Sequence, residues 1–208
     1  MTSPTPARDH IFARVRGANE GREKVPHPGA LPMAVEPPVA FGGSGRSAPV
    51  DAFADRFSAA GGEVVRLAEA SAAGRWLAEF TRGFDGVAVG DGVPEALTPP
   101  LPRVPPERAA LGVSMAVGAA AQTGSLLLSS VGGRRCQLLP PVTIVWLQAV
   151  DVHATLGEAL ELCRQSLPAA LALHSGPSKS ADIGRVLVRG VHGPGRIVAA
   201  VLGAEGPP

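Results

Sequence analysis

Apolar positions recur at helical spacing over residues 8–20, RDHIFARVRGANE, where Ile11, Phe12, Val15 and Ala18 share one face. A short amphipathic helix is predicted there, able to pack on the body or on a partner. From Gly21 to Pro49 the pattern dissolves into Pro26, Pro28, Pro32, Pro37, Pro38 and the run Phe41-Gly42-Gly43-Ser44-Gly45, which sustains neither a helix nor an interior strand. Periodicity returns near Val50. VDAFADRFSAAGG reads as a helix ended by a glycine pair, EVVRLA as a strand, SAAGRWLAEFTRGF as a second helix and GVAVG as a short apolar strand.

Alternation of this kind predicts an α/β unit with a mostly parallel central sheet flanked by helices. Residues 94–106, with six prolines, form a surface connection. LGVSMAVGAAAQTGSLLLSS holds two strand-like runs around Thr123-Gly124, and VGGRR is a turn. CQLLPPVTIVWLQAV follows, then a helix predicted over residues 154–173 with Leu156, Ala159, Leu160, Cys163 and Leu167 as its buried stripe. RIVAAVLG closes the chain as a strand. The organisation expected is an N-terminal helix and Pro/Gly-rich arm over residues 1–48 and an α/β domain over 49–208.

Composition narrows the functions open to this pattern. Lys plus Arg number 19 against 18 Asp plus Glu, without the basic excess that makes nucleic acid the default partner. The longest apolar run, Ala109 to Ala121, is interrupted by Ser114 and falls short of the ~20 residues a membrane span needs. The N-terminus lacks the apolar core of a secretory signal, so a cytoplasmic protein is expected. Two cysteines, Cys136 and Cys163, cannot ligate an iron–sulfur cluster or zinc ribbon within this chain and read as buried apolar groups. No cofactor or metal is expected of it.

Several familiar motifs fail on their own chemistry. Gly43-Ser44-Gly45-Arg46-Ser47-Ala48 matches the dinucleotide fingerprint, but no strand precedes it and Pro49 follows. Lys179-Ser180 lacks the glycines of a phosphate-binding P-loop, and no G-x-S-x-G elbow occurs. Asp151 and His153, two apart after TIVWLQAV, would project together if the strand continued.

The segment HSGPSKSADIGRVLVRGVHGPGR, residues 174–196, gathers five glycines, three serines, two histidines and Lys179. It reads either as two turns joining core elements or as a loop holding an anion. In the second reading Ser178 or Ser180 caps a short helix with Asp182 in its first turn, and the free N–H groups join Ser175, Gly176, Ser178, Lys179 and Ser180 around an anionic small ligand. Gly190 to Gly195 forms a tight loop presenting His192, with Gly193 beside it, as an acid or base. Gln122, Thr123, Gly124 and Ser125 lie between two apolar runs, where glycine permits close backbone approach and the flanking amide and hydroxyls supply hydrogen bonds. A bulge or tight turn explains the same residues.

Ser175 to Ile183 followed by Gly190-Val191-His192-Gly193-Pro194 closely resembles the C-terminal signature of the lactate-utilisation protein C family, the LUD domain. Thr123 to Leu128 and Leu139-Pro140-Pro141 resemble its middle motifs in the right order. The resemblance spans about residues 50–204, specific at its C-terminal end. It implies a fold similar to the NagB/RpiA/CoA-transferase superfamily and a part in oxidising L-lactate to pyruvate beside partner subunits that carry iron–sulfur centres. Where the family often has glutamate before Thr-Gly, this chain has Gln122. An amide cannot form an acyl anhydride, which argues against a CoA-transferase-like nucleophile there.

Three functions therefore stand at the level of sequence. One is a non-redox component of a lactate-utilisation system that binds an anionic small molecule. Another is an enzyme acting on a phosphorylated or CoA-linked substrate through His192 and Lys179. The third is an assembly protein that docks iron–sulfur partner subunits through its N-terminal helix and arm.

Overall fold

The computed structural model describes residues 6–21, 48–164, 167–181 and 187–204. The glycine fingerprint over residues 43–47, the rest of the proline-rich arm and Asp182 lie outside the described residues. The predicted N-terminal helix is present as α1 (Pro6–Asn19), with Ile11, Phe12 and Val15 exposed and Arg8 stacked over the Phe12 ring.

In the body the chain forms α2 (Ala48–Ala59), β1 (Glu63–Leu67), α3 (Ala70–Phe80), β2 (Val87–Val89), a 3-10 turn at Glu95–Leu97 and β3 (Leu111–Met115). Then come β4 (Gly118–Ala120), β5 (Ser125–Ser129), α4 (Arg135–Leu138), β6 (Val142–Gln148), a 3-10 turn at Ala149–Asp151 and β7 (Val152–His153). The last elements are α5 (Leu156–Glu161), β8 (Leu171–His174), β9 (Lys179–Ala181), β10 (Leu187–Arg189) and β11 (Arg196–Leu202).

Five strands, ordered β1-β11-β6-β3-β2, make an all-parallel sheet. Its central strands are apolar on both faces because both are covered, as a parallel sheet requires. Ile144 and Trp146 of β6 face a layer that includes Leu77 of α3, whereas Val145 and Leu147 face Phe53 and Phe57 of α2. The predicted mostly parallel sheet flanked by helices is present. One of its flanks is in part a second sheet, ordered β7-β4-β5-β8, whose Ala119, Leu126, Leu128 and Val152 join the same core as Val145. β3 runs through Ala116-Val117 into β4, so this second sheet stands over the first.

The predicted glycine stop of α2 is a Schellman motif. Gly62 N–H donates to the Phe57 carbonyl and Gly61 N–H to that of Ser58, with Gly61 at φ +92° where other residues are strained.

Two predicted helices are not as expected. The helix over 154–173 is divided: α5 is capped by Thr155 in a full capping box with Glu158 and ends at Glu161, and Leu171–His174 is instead a strand paired with β5. Pro168 supplies the reason, because it offers no N–H and its ring pushes Leu167 out of helical geometry. Of the predicted stripe, Ala159 and Cys163 are buried, while Leu160 and Leu167 are exposed. The short helix expected to start at Ser178 or Ser180 is also replaced: Lys179–Ala181 is a strand, paired antiparallel with Leu187–Arg189. The helix N-terminus invoked for an anion is therefore absent from residues 178–181.

Candidate functional site

β4 and β5 are joined by Ala121 to Gly124, a turn that folds against the end of α2. Gly124 has φ +60°, and a Cβ there would lie 2.7 Å from the Phe57 nitrogen and 2.9 Å from the Arg56 carbonyl carbon. Only a residue without a side chain allows this approach. Gly176, at φ +105°, approaches the end of the same helix, where a Cβ would lie 3.0 Å from the Ala60 carbonyl oxygen. The two glycines thus seat two loops, distant in sequence, on one structural element.

That seating joins three hydroxyls. Thr123 Oγ1 lies 2.7 Å from Ser125 Oγ, which lies 2.6 Å from Ser175 Oγ. Two hydrogen bonds use two of the three hydroxyl protons; the third is left to donate outward. Ser125 is buried, whereas Thr123 and Ser175 are exposed, so the chain of hydroxyls connects the interior to the surface. Gln122 is half-buried, and its N–H donates to the Ala154 carbonyl.

Sequence reasoning missed Arg56. Its guanidinium donates to the Ala121 carbonyl at 3.0 Å, which brings positive charge to the turn holding Gln122 and Thr123. An arginine on an exposed helix face carries no motif, and only the packing of Gly124 against α2 singles it out.

Ser178, His192 and Gly193 form a second group. Ser178 N–H donates to the Pro194 carbonyl, the Ser178 carbonyl accepts from Gly190 N–H, and Ser178 Oγ accepts from His192 N–H at 3.3 Å. A Cβ on Gly193 would lie 3.3 Å from that of Ser178. His192 is exposed. Lys179 turns away from this group: its ammonium donates to the Ala60 carbonyl at the end of α2, the negative end of the helix dipole. Ser180 sits in β9 opposite Val188. Asp151 ends a 3-10 turn and His153 is the last residue of the separate strand β7, so the two do not continue one strand.

His174, one residue before Ser175, is held below the ordinary histidine range by burial. Its folded form is therefore neutral at pH values where the unfolded chain already takes a proton. Stability from this residue is complete above about pH 6.5, the unfolded value, and declines as pH falls from there toward the lower folded value. Urea unfolding at pH 7.5 and 5.5 is expected to show that loss, and a His174→Gln variant to reduce it; an equal loss in the variant would assign it elsewhere.

Residues 106–202 match the family model of the LUD domain. The chain is 36% identical over 100 residues to lactate utilization protein C 1 of Bacillus mycoides, covering 44% of this chain and 43% of that protein. It is also 36% identical over 107 residues to lactate utilization protein C of Bacillus pumilus, covering 48% and 45%. The matched stretch thus spans less than half the length of these relatives. A DUF162 family protein from Deinococcus radiodurans superposes with a TM-score of 0.61 at 20% identity, covering 76% of this chain and 98% of that one. Such a likeness speaks for the fold.

Proposed function

We infer, for a chain that carries a LUD domain over residues 106–202, a part in lactate utilisation as a component that binds a small anion and has no redox centre of its own. The relatives' names support the process. The hydroxyl chain of Thr123, Ser125 and Ser175 beside Arg56 carries the binding reading, because it lies within the matched residues except for Arg56 itself. Hydroxyls with a proton to donate suit a carboxylate or phosphate, and the Arg56 guanidinium on the Ala121 carbonyl adds positive charge at the same turn. Two cysteines are too few for the four thiolates of a cluster, so electron transfer falls to partner subunits with iron–sulfur centres.

Thermal melts of the full chain with L-lactate, pyruvate, inorganic phosphate and coenzyme A test the binding. A ligand at a hundred times its Kd adds about 2.7 kcal/mol, or roughly 5–10 °C at this chain length. Ser125→Ala with Ser175→Ala should weaken binding about tenfold and so roughly halve the shift at the same ligand concentration; no shift with any of the four anions would remove the site. For the process, a host lacking the gene should grow poorly on L-lactate as sole carbon source, and unimpaired growth would overturn the assignment.

A further inference from the structure

A strand at the edge of a sheet leaves a row of backbone N–H and C=O groups unpaired, and folded proteins shield such rows with charge, cover or brevity. Three of the four edges of the two larger sheets are shielded in this way. β1 carries Glu63 and Arg66, each in an ion pair. β2 is covered by residues 102–104, since Val87 N–H donates to the Pro102 carbonyl and the Val87 carbonyl accepts from Val104 N–H. β7 is only two residues long. β8 has no such shield: among the described residues no strand pairs with its outer edge, and Leu167 to Ser178 includes no Lys, Arg, Asp or Glu.

The pairing of β8 with β5 determines what that edge presents. Ser130 N–H donates to the Ala170 carbonyl, and hydrogen-bonded residues alternate along an antiparallel pair, so Ala170, Ala172 and His174 direct their backbone groups to β5. Those of Leu171 and Leu173 point to the open side. Ala172 packs in the core with Leu126 and Leu128, which puts Leu171 and Leu173 on the opposite face, and Leu173 is 47% exposed there. Burial favours the neutral form of His174, so the strand itself brings no charge to the edge.

We propose that β8 pairs antiparallel with β8 of a second copy of this chain about a two-fold axis, joining two four-stranded sheets into one of eight strands. A two-fold axis sets each side chain near its own copy, and like charges opposed across strands are destabilising. A self-pairing edge must therefore be free of charge at the axis, a condition that β8 meets and β1 does not. The core faces of both sheets must also stay on one side, with the outward backbone groups of the two strands matched. Of the registers nearest the middle of the strand, these conditions leave Leu173 opposite itself or opposite Leu171. In either one the two Leu173 side chains come within reach of each other. Specific interfaces bury at least about 1,000 Å² in total, and a strand of four residues with its flanks lies at the small end of that class, so association in the micromolar range follows. This pairing requires nothing of the anion site.

Sedimentation of the full chain from about 1 to 200 µM should show a monomer–dimer equilibrium. Leu173→Lys and Leu173→Glu each place a charge at an exposed position; each should leave the melt of a dilute sample unchanged and raise the dimer dissociation constant about tenfold or more. Mixed in equal amounts, the two variants should associate again, to within about threefold of the parent chain, because the opposite charges now face each other across the axis. Amide hydrogen exchange on the parent gives a reading that needs no variant: the Leu171 and Leu173 N–H groups should exchange more slowly at the top of the concentration range than at the bottom. A chain that stays monomeric throughout overturns the self-pairing and leaves the edge to a strand of another protein. A dimer that both variants retain, or exchange at Leu173 that ignores concentration, overturns it by placing the contact elsewhere.

Discussion

A Gly124→Ala variant is expected to melt roughly 6–12 °C below the parent chain, corresponding to a loss of about 3 kcal/mol at this size. Two independent penalties combine. The backbone at φ +60° disfavours any Cβ, at a cost of about 1–2 kcal/mol. The added carbon would also meet the backbone of α2 at 2.7 Å, where no flexible side chain can give way. Relief requires the Ala121–Gly124 turn to lift from α2, which would part Arg56 from the Ala121 carbonyl and disturb the Thr123–Ser125 contact. Anion binding should therefore fall with stability. Thermal melts and the anion titration on the same variant check both, and a melt within 2 °C of the parent would show that the turn is not seated as described.

Trp146→Ala should cost more, about 3–5 kcal/mol. Trp146 is fully buried in β6, the middle strand of the parallel sheet, with its ring edge-on to Trp76 at 5.8 Å between centroids. Its indole N–H donates to the Leu97 carbonyl at 2.9 Å and so ties the 3-10 turn after β2 to the sheet. Removing the ring leaves a cavity and an unpaired carbonyl together. Trp146→Phe restores most of the volume but not the donor, and it should recover more than half of the loss. Urea denaturation of both variants separates packing from the hydrogen bond: equal losses would place the whole effect on the hydrogen bond.

The elements with strong periodic patterns were legible in advance. The helix from Val50, the strands EVVRLA and RIVAAVLG, and the parallel α/β class all follow from apolar spacing and punctuation by glycine. Residues 154–173 misled because small apolar residues suit a helix or a strand equally, and neither periodicity nor propensity weighs the pairing partner that β5 offers to β8. Lys179 reads as a ligand group from its serine- and glycine-rich neighbours, and only the fold shows that its ammonium reaches the Ala60 carbonyl at the end of α2.

The sequence alone determined which residue types were available to a site: hydroxyls at 123, 125 and 175, glycines at 124 and 176, and an amide at 122 where a carboxylate would have changed the chemistry. Local spacing carries that information because each motif is a few residues long. Only the tertiary structure decided that the hydroxyls form one chain, that Arg56 stands on the Ala121–Gly124 turn, and that His153 shares the cross-strand row of Ser125 and Ser175. Those relations depend on strand register and on where α2 ends. Ser125 and Ser175 are 50 positions apart and Arg56 and Ala121 65, distances over which no local pattern of side chains specifies contact.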